Sequence, residues 1–303
     1  MAGVITTGNH PKALWPGMHA FWGRTYNEHP MEWSQIFDEA SSDKAYEEDA
    51  EVTGFGYASV KNQAAAISFD SESQGPTTRY SHVVYGLGYI VSREETEDNL
   101  YEVVSKRRIK ALSFSMRATK EVVHANILNR AFNSSYTGGD GKEMCATDHP
   151  TLSGTQSNEL TAAADLSEAA IEDLCIQIMN AQNSRGLRIA IMPKKLIVPP
   201  NEAFNAERIL KSSLQSGTAN NDVNAIRAMG ILPGGAVVNH YLTDTDAWWI
   251  KTNAPDGLRH FKRRAIELKQ DNDFDTENAK AKATERYVAG WSDWRALYGS
   301  PGA

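Results

Sequence analysis

Residues 97–132 read EDNLYEVVSKRRIKALSFSMRATKEVVHANILNRAF, and nothing in that stretch stops a helix. No Gly or Pro interrupts it, Thr96 or Asp98 can cap its start, and Gly138, Gly139 and Gly141 follow its end. At ~1.5 Å per residue such a helix spans roughly 50 Å, far beyond the usual three or four turns. Turned by 100° per residue, Leu100, Val103, Val104, Ala111, Phe114, Ala118, Val122 and Ala125 share one face. A second apolar stripe, Ile109, Leu112, Met116, Val123 and Ile127, lies nearly opposite, with Glu102, Lys106, Lys110, Arg117, Lys120 and His124 as a polar band between. A helix apolar on two sides needs covering on two sides. It reads as a spine, with one layer beneath it and another laid across.

The segments before the spine cannot make cores of their own. Residues 1–50 read as an extended arm, broken by Pro11, Pro16 and Pro30 and studded with Trp15, Phe21, Trp22, Tyr26 and Trp33. Only Met31 to Glu39 has a short helical pattern, so the aromatic groups must be buried elsewhere in the chain or on a neighbour. From Glu51 the period changes to two. Ala64 to Phe69 and Tyr80 to Val91 read as strands of a long hairpin whose turn is Asp70 to Pro76. A lone hairpin is unstable in water and must lie on something. Gly86-Leu87-Gly88 falls inside a strand with no helix opening after it, which excludes a nucleotide loop and marks a bend or bulge.

Beyond the spine, residues 133–165 are a polar, small-residue connection. A compact region follows. Asp165 or Ser167 caps a helix that carries Leu166, Ala170, Leu174, Ile178 and Ala181 on one face and ends at Arg185-Gly186. Leu187 to Met192 and Lys195 to Val198 read as buried strands, and Asn201 caps a helix over Glu202 to Leu214. Strands around Ala236 to Leu242 and Ala247 to Lys251 are joined by a polar hairpin turn at Thr243 to Asp246. Long strands return over Leu258 to Lys269 and Ala279 to Trp291, and Trp294 to Tyr298 closes the chain. The first of these carries Arg259, His260, Lys262, Arg263 and Arg264, read as a strand edge answering the acidic run Asp271 to Glu277.

Composition and motifs exclude several function classes. With 31 Lys and Arg against 38 Asp and Glu, the chain is mildly acidic at −7, the wrong balance for gripping nucleic acid over its whole surface. Cys145 and Cys175 have no metal spacing; Cys145 and His149 are one pair without a second, so both cysteines read as plain thiols. Asp148, His149 and Ser153 resemble a triad only in composition, without a Gly-x-Ser-x-Gly elbow. Asp244 and Asp246 lack the Gly and terminal Glu of a calcium loop. No stretch reaches the ~18 apolar residues of a membrane span, and Met1 to Pro11 has no secretory pattern. A soluble α/β enzyme would need convergent titratable groups within 166–255, and the usual spacings are missing there. The expectation is a self-assembling protein that is not an enzyme, with no cofactor and no metal.

The order of arm, hairpin, spine, α/β insert and returning strands resembles the Hong Kong 97-type fold of tailed-bacteriophage major capsid proteins. The sequence is similar to one family of phage major head proteins at Phe37 to Glu39 with Ser42 to Tyr46, at Val52 to Gly56, and at Gly75 to Tyr80. The likeness continues at His82 to Gly88, Leu128 to Asn133 and Asp273 to Ala279, so it covers nearly the whole chain. The resemblance implies an α+β fold with an N-terminal arm over 1–50, an E-loop over 51–96, a P-domain over 97–155 and 256–303, and an A-domain over 156–255. It implies copies tiling an icosahedral shell as hexamers and pentamers around double-stranded DNA, in a virion assembled in the bacterial cytoplasm. Lys61-Asn62 lies near the E-loop, but no motif carries over the covalent cross-link of the fold's type member. The cleavable N-terminal scaffold of some relatives is absent, so a separate scaffolding protein and a portal are the expected partners, with no membrane. Candidate inter-subunit contacts are Ile67, Phe69, Arg79, Tyr80, Val83 and Tyr85 on the hairpin, and Trp15, Phe21 and Trp22 on the arm.

Overall fold

The computed structural model describes residues 15–28, 30–94, 101–215, 222–272 and 278–303, with backbone alone at 15–21, 101–105 and 272. In chain order the elements are helix α1 (Trp15–Glu28), strands β1 (Asp38–Ser41), β2 (Tyr46–Val52), β3 (Gln74–Ser81) and β4 (Val83–Val91), and the long helix α2 (Tyr101–Asn129). A short ribbon, β5 (His149–Thr151) and β6 (Gly154–Gln156), leads to α3 (Glu168–Met179), β7 (Pro193–Val198), α4 (Ala203–Lys211) and α5 (Ala225–Met229). The chain ends through β8 (Ala236–Val238), β9 (Trp248–Thr252), β10 (Leu258–Asn272), β11 (Ala279–Trp291) and β12 (Leu297–Ser300). It divides into two compact units, the first of residues 1–31, 82–122 and 262–288, the second of 32–81, 123–261 and 289–303.

The first unit packs helices on one face of a sheet. β4 runs antiparallel to β11, with Val83 opposite Tyr287 and Val91 opposite Ala279, and β11 lies beside β10. Gly88 makes that pairing possible: a Cβ there would sit 2.7 Å from the carbonyl oxygen of Ala281. No register shift breaks this ladder, so the glycines serve close approach instead of the expected bend or bulge. Trp22 and Tyr26 of α1 pack with Ile109, Leu112 and Met116 of α2 and with Leu268 and Ala283 of the sheet.

Within this unit α2 corrects its own expectation. The stripe of Ile109, Leu112 and Met116 is buried, but Phe114 and Val122 of the opposite stripe are exposed. Part of the expected polar band is buried as well, although Lys106 and Lys110 are exposed. Arg117 and Lys120 lie inside, where Lys120 Nζ sits 3.4 Å from Glu285 and Arg117 lies over the Tyr26 ring. Partners from α1 and β11 make charged positions compatible with burial, which a count of apolar positions cannot register. The proposed caps Thr96 and Asp98 lie outside the described residues.

The second unit holds a four-stranded sheet ordered β12-β9-β7-β8. β7 pairs parallel with β8 and antiparallel with β9, and every residue of β9 is buried. β8 and β9 therefore do not form the expected hairpin, because β7 lies between them. Ser167 caps α3 by accepting the Ala170 N–H at 3.2 Å. Leu187 to Met192 is irregular, not a strand, its exposed positions including Arg188, Ala190 and Met192. Asn201 is no cap either. Pro200–Glu202 forms a 3₁₀ turn, and α4 begins without a side-chain cap. Trp294, Ala296 and Tyr298 join the core of α3, β7 and β9, while Trp33, Ile36 and Phe37 pack in a second cluster with Leu128, Trp249 and Leu297.

Two further expectations fail for stated reasons. The arm is helical at Trp15–Glu28 instead of Met31–Glu39, which holds only a 3₁₀ turn at Trp33–Gln35. Pro16 falls in the first turn, where the missing N–H removes no helical bond, so an apparent breaker is a starter. The single strand Tyr80 to Val91 is two strands in two sheets, divided at His82 where the chain passes from one unit to the other.

Candidate inter-subunit surfaces

No strand forms at Ala64 to Phe69. β2 and β3 pair antiparallel from Tyr46–Ser81 to Val52–Gln74, and between them residues 53–73 make an open loop without a second strand pair. Its neck is closed by Thr53 and Ser73: the Thr53 N–H donates to the Ser73 carbonyl at 3.1 Å, and the Ser73 N–H donates to Thr53 Oγ1 at 3.0 Å. Further out, Ser59 and Ser68 hydroxyls lie 2.7 Å apart, and the Ala65 N–H donates to the Asn62 carbonyl at 3.1 Å. Ala64 takes a φ of 64°, a left-handed conformation that no strand contains. A period-two pattern becomes a strand only where a partner ladder satisfies its backbone, and this chain supplies none there.

The loop's side chains point outward. Phe69 is 95 % exposed, Val60 93 % and Tyr57 81 %, with Phe55 and Ile67 also more than half exposed. Five large apolar groups on one loop form an apolar surface that a chain in water does not leave open without a partner. One clamp steadies it: Arg185 donates to Asp70 at 2.5 Å and 3.3 Å and to the Ser71 carbonyl at 3.2 Å. Arg185, helped by the Gly56 and Ser71 N–H groups, holds the Asp70 carboxyl well below the usual range.

The root of the loop is polar and buried. Tyr80 is 3 % exposed, its hydroxyl hydrogen-bonds Ser292, and its ring meets Phe261 edge-on at 5.0 Å. Gly290 leaves room for that ring, since a Cβ would fall 2.7 Å from it. Ser292 in turn donates to Asp49 at 2.7 Å, and Arg259 approaches the same carboxylate at 3.2 Å. Burial pushes the Tyr80 phenol far above its ordinary value, so it stays a neutral hydroxyl. Glu51 anchors the other side to Ser184 and, at 3.7 Å, to Arg295.

The candidate contacts therefore divide. Ile67 and Phe69 are exposed on the loop, and Arg79 lies 3.7 Å over the Tyr46 ring on its outer strands. Val83 is half exposed on β4, whereas Tyr85 is partly buried and stacks on Tyr287 at 4.7 Å. Tyr80 and Trp22 are withdrawn as contacts, because each is buried in a core of its own unit. The side chains of Trp15 and Phe21 lie outside the described residues. Phe55, Tyr57 and Val60 were missed, although their spacing after Val52 already carried an apolar signal; Arg185, distant in sequence, carried none. Arg259 pairs with Asp49 and Asp256, and most of the acidic run it was expected to answer lies outside the described residues.

Among the described residues no His, Cys, Asp and Glu group could hold a metal ion, and Cys145 and Cys175 are buried free thiols pushed above their ordinary value by burial. His149 is held by Asp140 at 2.6 Å and by Asn158 at 3.1 Å, which makes it a structural member of the second unit. Among the described residues no helix is long and apolar enough to cross a membrane.

Comparison with known proteins agrees with this surface-dominated picture. The model of a family described as phage capsid protein matches residues 75–300. No curated protein matches the sequence. The fold is similar to a virus-like particle protein from Pyrococcus furiosus, with a TM-score of 0.55 at 12% identity over 94% of this chain and 98% of that one. It is also similar to a protein of Mycobacterium phage Che8, with a TM-score of 0.51 at 15% identity over 88% and 89%. A third likeness is to the capsid of an empty GTA particle, with a TM-score of 0.56 at 10% identity over 100% and 93%.

Proposed function

The chain belongs to the phage capsid protein family, and from that premise we propose how its parts divide the work of building a shell. It is a major capsid protein, the repeating unit of a tailed phage's icosahedral head, and a structural protein of the virion. Its α+β fold is of the Hong Kong 97 type. Residues 1–50 serve as the N-terminal arm and 51–96 as the E-loop; 97–155 with 256–303 form the P-domain, and 156–255 the A-domain. Copies join as hexamers and pentamers, a scaffolding protein and a portal assist assembly, and double-stranded DNA is enclosed without sequence-specific binding.

One observation carries the assembly reading: the loop of residues 53–73 exposes Phe55, Tyr57, Val60, Ile67 and Phe69 while its root is pinned by buried polar contacts. A rigid root with an apolar, outward tip is built to reach beyond its own subunit. The tip lies across the neighbouring subunit's P-domain, where a fully buried Phe is worth roughly 1.5–3 kcal/mol. The −7 charge suits a container that must not adsorb its genome irreversibly. Electron microscopy of the purified protein tests the reading: shells, tubes or capsomers are expected, and a population of monomers at every concentration would refute it.

A further inference from the structure

The exposed face of α2 brings a run of cations together with a row of apolar side chains. Residues 103–120 contain no Asp or Glu but six cations, of which Arg117 and Lys120 are buried. The other four are Lys106, Arg107, Arg108 and Lys110. A long surface helix ordinarily alternates carboxylates and cations at i,i+4 spacing, whereas Arg107 and Lys110 have no Asp or Glu three or four residues to either side. The first unit as a whole carries 16 Lys and Arg against 13 Asp and Glu, whereas the second carries 15 against 25. The cationic helix therefore belongs to the positive part of an acidic protein.

At 100° per residue, Arg107, Lys110, Ala111, Phe114, Ala118 and Val122 fall within one arc of the helix. It is the face turned away from the core stripe of Ile109, Leu112 and Met116. Phe114 is 52 % exposed and Val122 42 %, and Ala111 is exposed as well. The spacing 107, 111, 114, 118, 122 advances by four, three, four and four residues, the seam along which a second helix packs. Small Ala111 and Ala118 flank large Phe114, leaving holes beside a knob. Duplex DNA would use the cations but gains nothing from this apolar row.

We propose that this face of α2 docks an amphipathic helix of an assembly partner, with a leucine-type stripe against Ala111, Phe114, Ala118 and Val122 and carboxylates against Arg107 and Lys110. The proposal rests on the capsid reading, since it supplies the seat for the separate scaffolding protein proposed there.

The test uses the full chain as purified capsomers and a designed probe, a four-heptad helical peptide with a Leu stripe and Glu at one end. A matched peptide with Lys in place of Glu and a mixed-sequence DNA duplex serve as controls. Fluorescence anisotropy should show the acidic peptide bound at least tenfold more tightly than the Lys peptide. Phe114→Glu should weaken peptide binding tenfold or more with DNA binding unchanged, and the double variant R107E/K110E should reverse the preference between the two peptides. Both variants should keep the wild-type melting profile, because the substituted groups are outside the core. Three outcomes overturn the proposal: no preference for the acidic peptide, a Phe114→Glu variant that binds as wild type, or DNA alone lost in R107E/K110E. A thiol introduced by Ala118→Cys must also react with a maleimide in peptide-free shells; its protection there would mean that a second copy of this chain covers the face. Shell formation is scored separately by microscopy, so failure of the docking and failure of the capsid reading are distinct results.

Discussion

Arg185, at the end of the loop that follows α3, grips Asp70 with two guanidinium nitrogens at 2.5 and 3.3 Å, across 115 residues of sequence. This bidentate pair ties the open loop of residues 53–73 to the body of its own unit. Because the Asp70 carboxyl is held below its ordinary value, the pair's contribution is present above the unfolded carboxylate range and is lost as pH falls through the depressed folded value. Neutral solutions keep the loop tethered. Arg185→Gln should leave the global melt almost unchanged, since an exposed pair contributes little. It should instead raise the rate of proteolytic cleavage within 54–72, read by mass spectrometry. Unchanged cleavage would show that the neck at Thr53 and Ser73 holds the loop alone.

A second prediction concerns the buried pair in the first unit. Lys120 Nζ lies 3.4 Å from Glu285, with both side chains nearly inaccessible. Removing one partner leaves a buried charge, so Lys120→Met should cost about 3–5 kcal/mol, and adding Glu285→Leu should recover most of it. Denaturant melts of the two single variants and the double variant measure the coupling.

The same carboxylate sets a pH dependence. Burial raises the Glu285 value above the ordinary glutamate value of 4.5, against the lowering influence of Lys120. Between the unfolded and the raised folded value the folded chain holds a proton that the unfolded chain has released. Glu285 therefore makes stability fall as pH rises through that window. Glu285→Gln should flatten the slope of melting temperature against pH just above the glutamate range, and an unaltered slope would place its origin elsewhere.

The spine itself is tested by proline. Met116 is buried in the middle of α2, so Met116→Pro removes a helical hydrogen bond, clashes with the preceding turn, and costs ~3 kcal/mol or more in addition to lost packing. Soluble particles of normal size from this variant would contradict the role of α2 as the support of the first unit.

How far these features were legible in the sequence depends on where each residue finds its partner. The body of α2 was readable because uninterrupted helix formers need only local bonds, and β11 was readable at its observed bounds because alternate residues Ala281 and Ala283 turn inward. The buried state of Arg117 and Lys120 was not readable, since it depends on Tyr26 and Glu285 from distant segments. Ala64 to Phe69 looks like a strand by pattern and is a loop for lack of a ladder, and Tyr80 to Val91 hides a change of sheet at His82. Of the candidate contacts, Phe69 is exposed on the loop because, among the described residues, no distant segment comes to cover it. Tyr80 was misplaced because Ser292 and Phe261, which bury it, come from the far end of the chain.

Replacing the apolar tip measures the account's central claim most directly. Excising Phe55 to Glu72 and bridging the Thr53–Ser73 neck with a short Gly-Ser link removes the exposed Phe55, Tyr57, Val60, Ile67 and Phe69 and leaves the Tyr80 root in place. Electron microscopy and light scattering of this variant, beside a circular dichroism melt, report assembly and folding independently. The account predicts a cooperatively melting subunit with native-like secondary structure that forms no closed shells. Normal shells from the excised chain would contradict it, as would a chain that no longer folds.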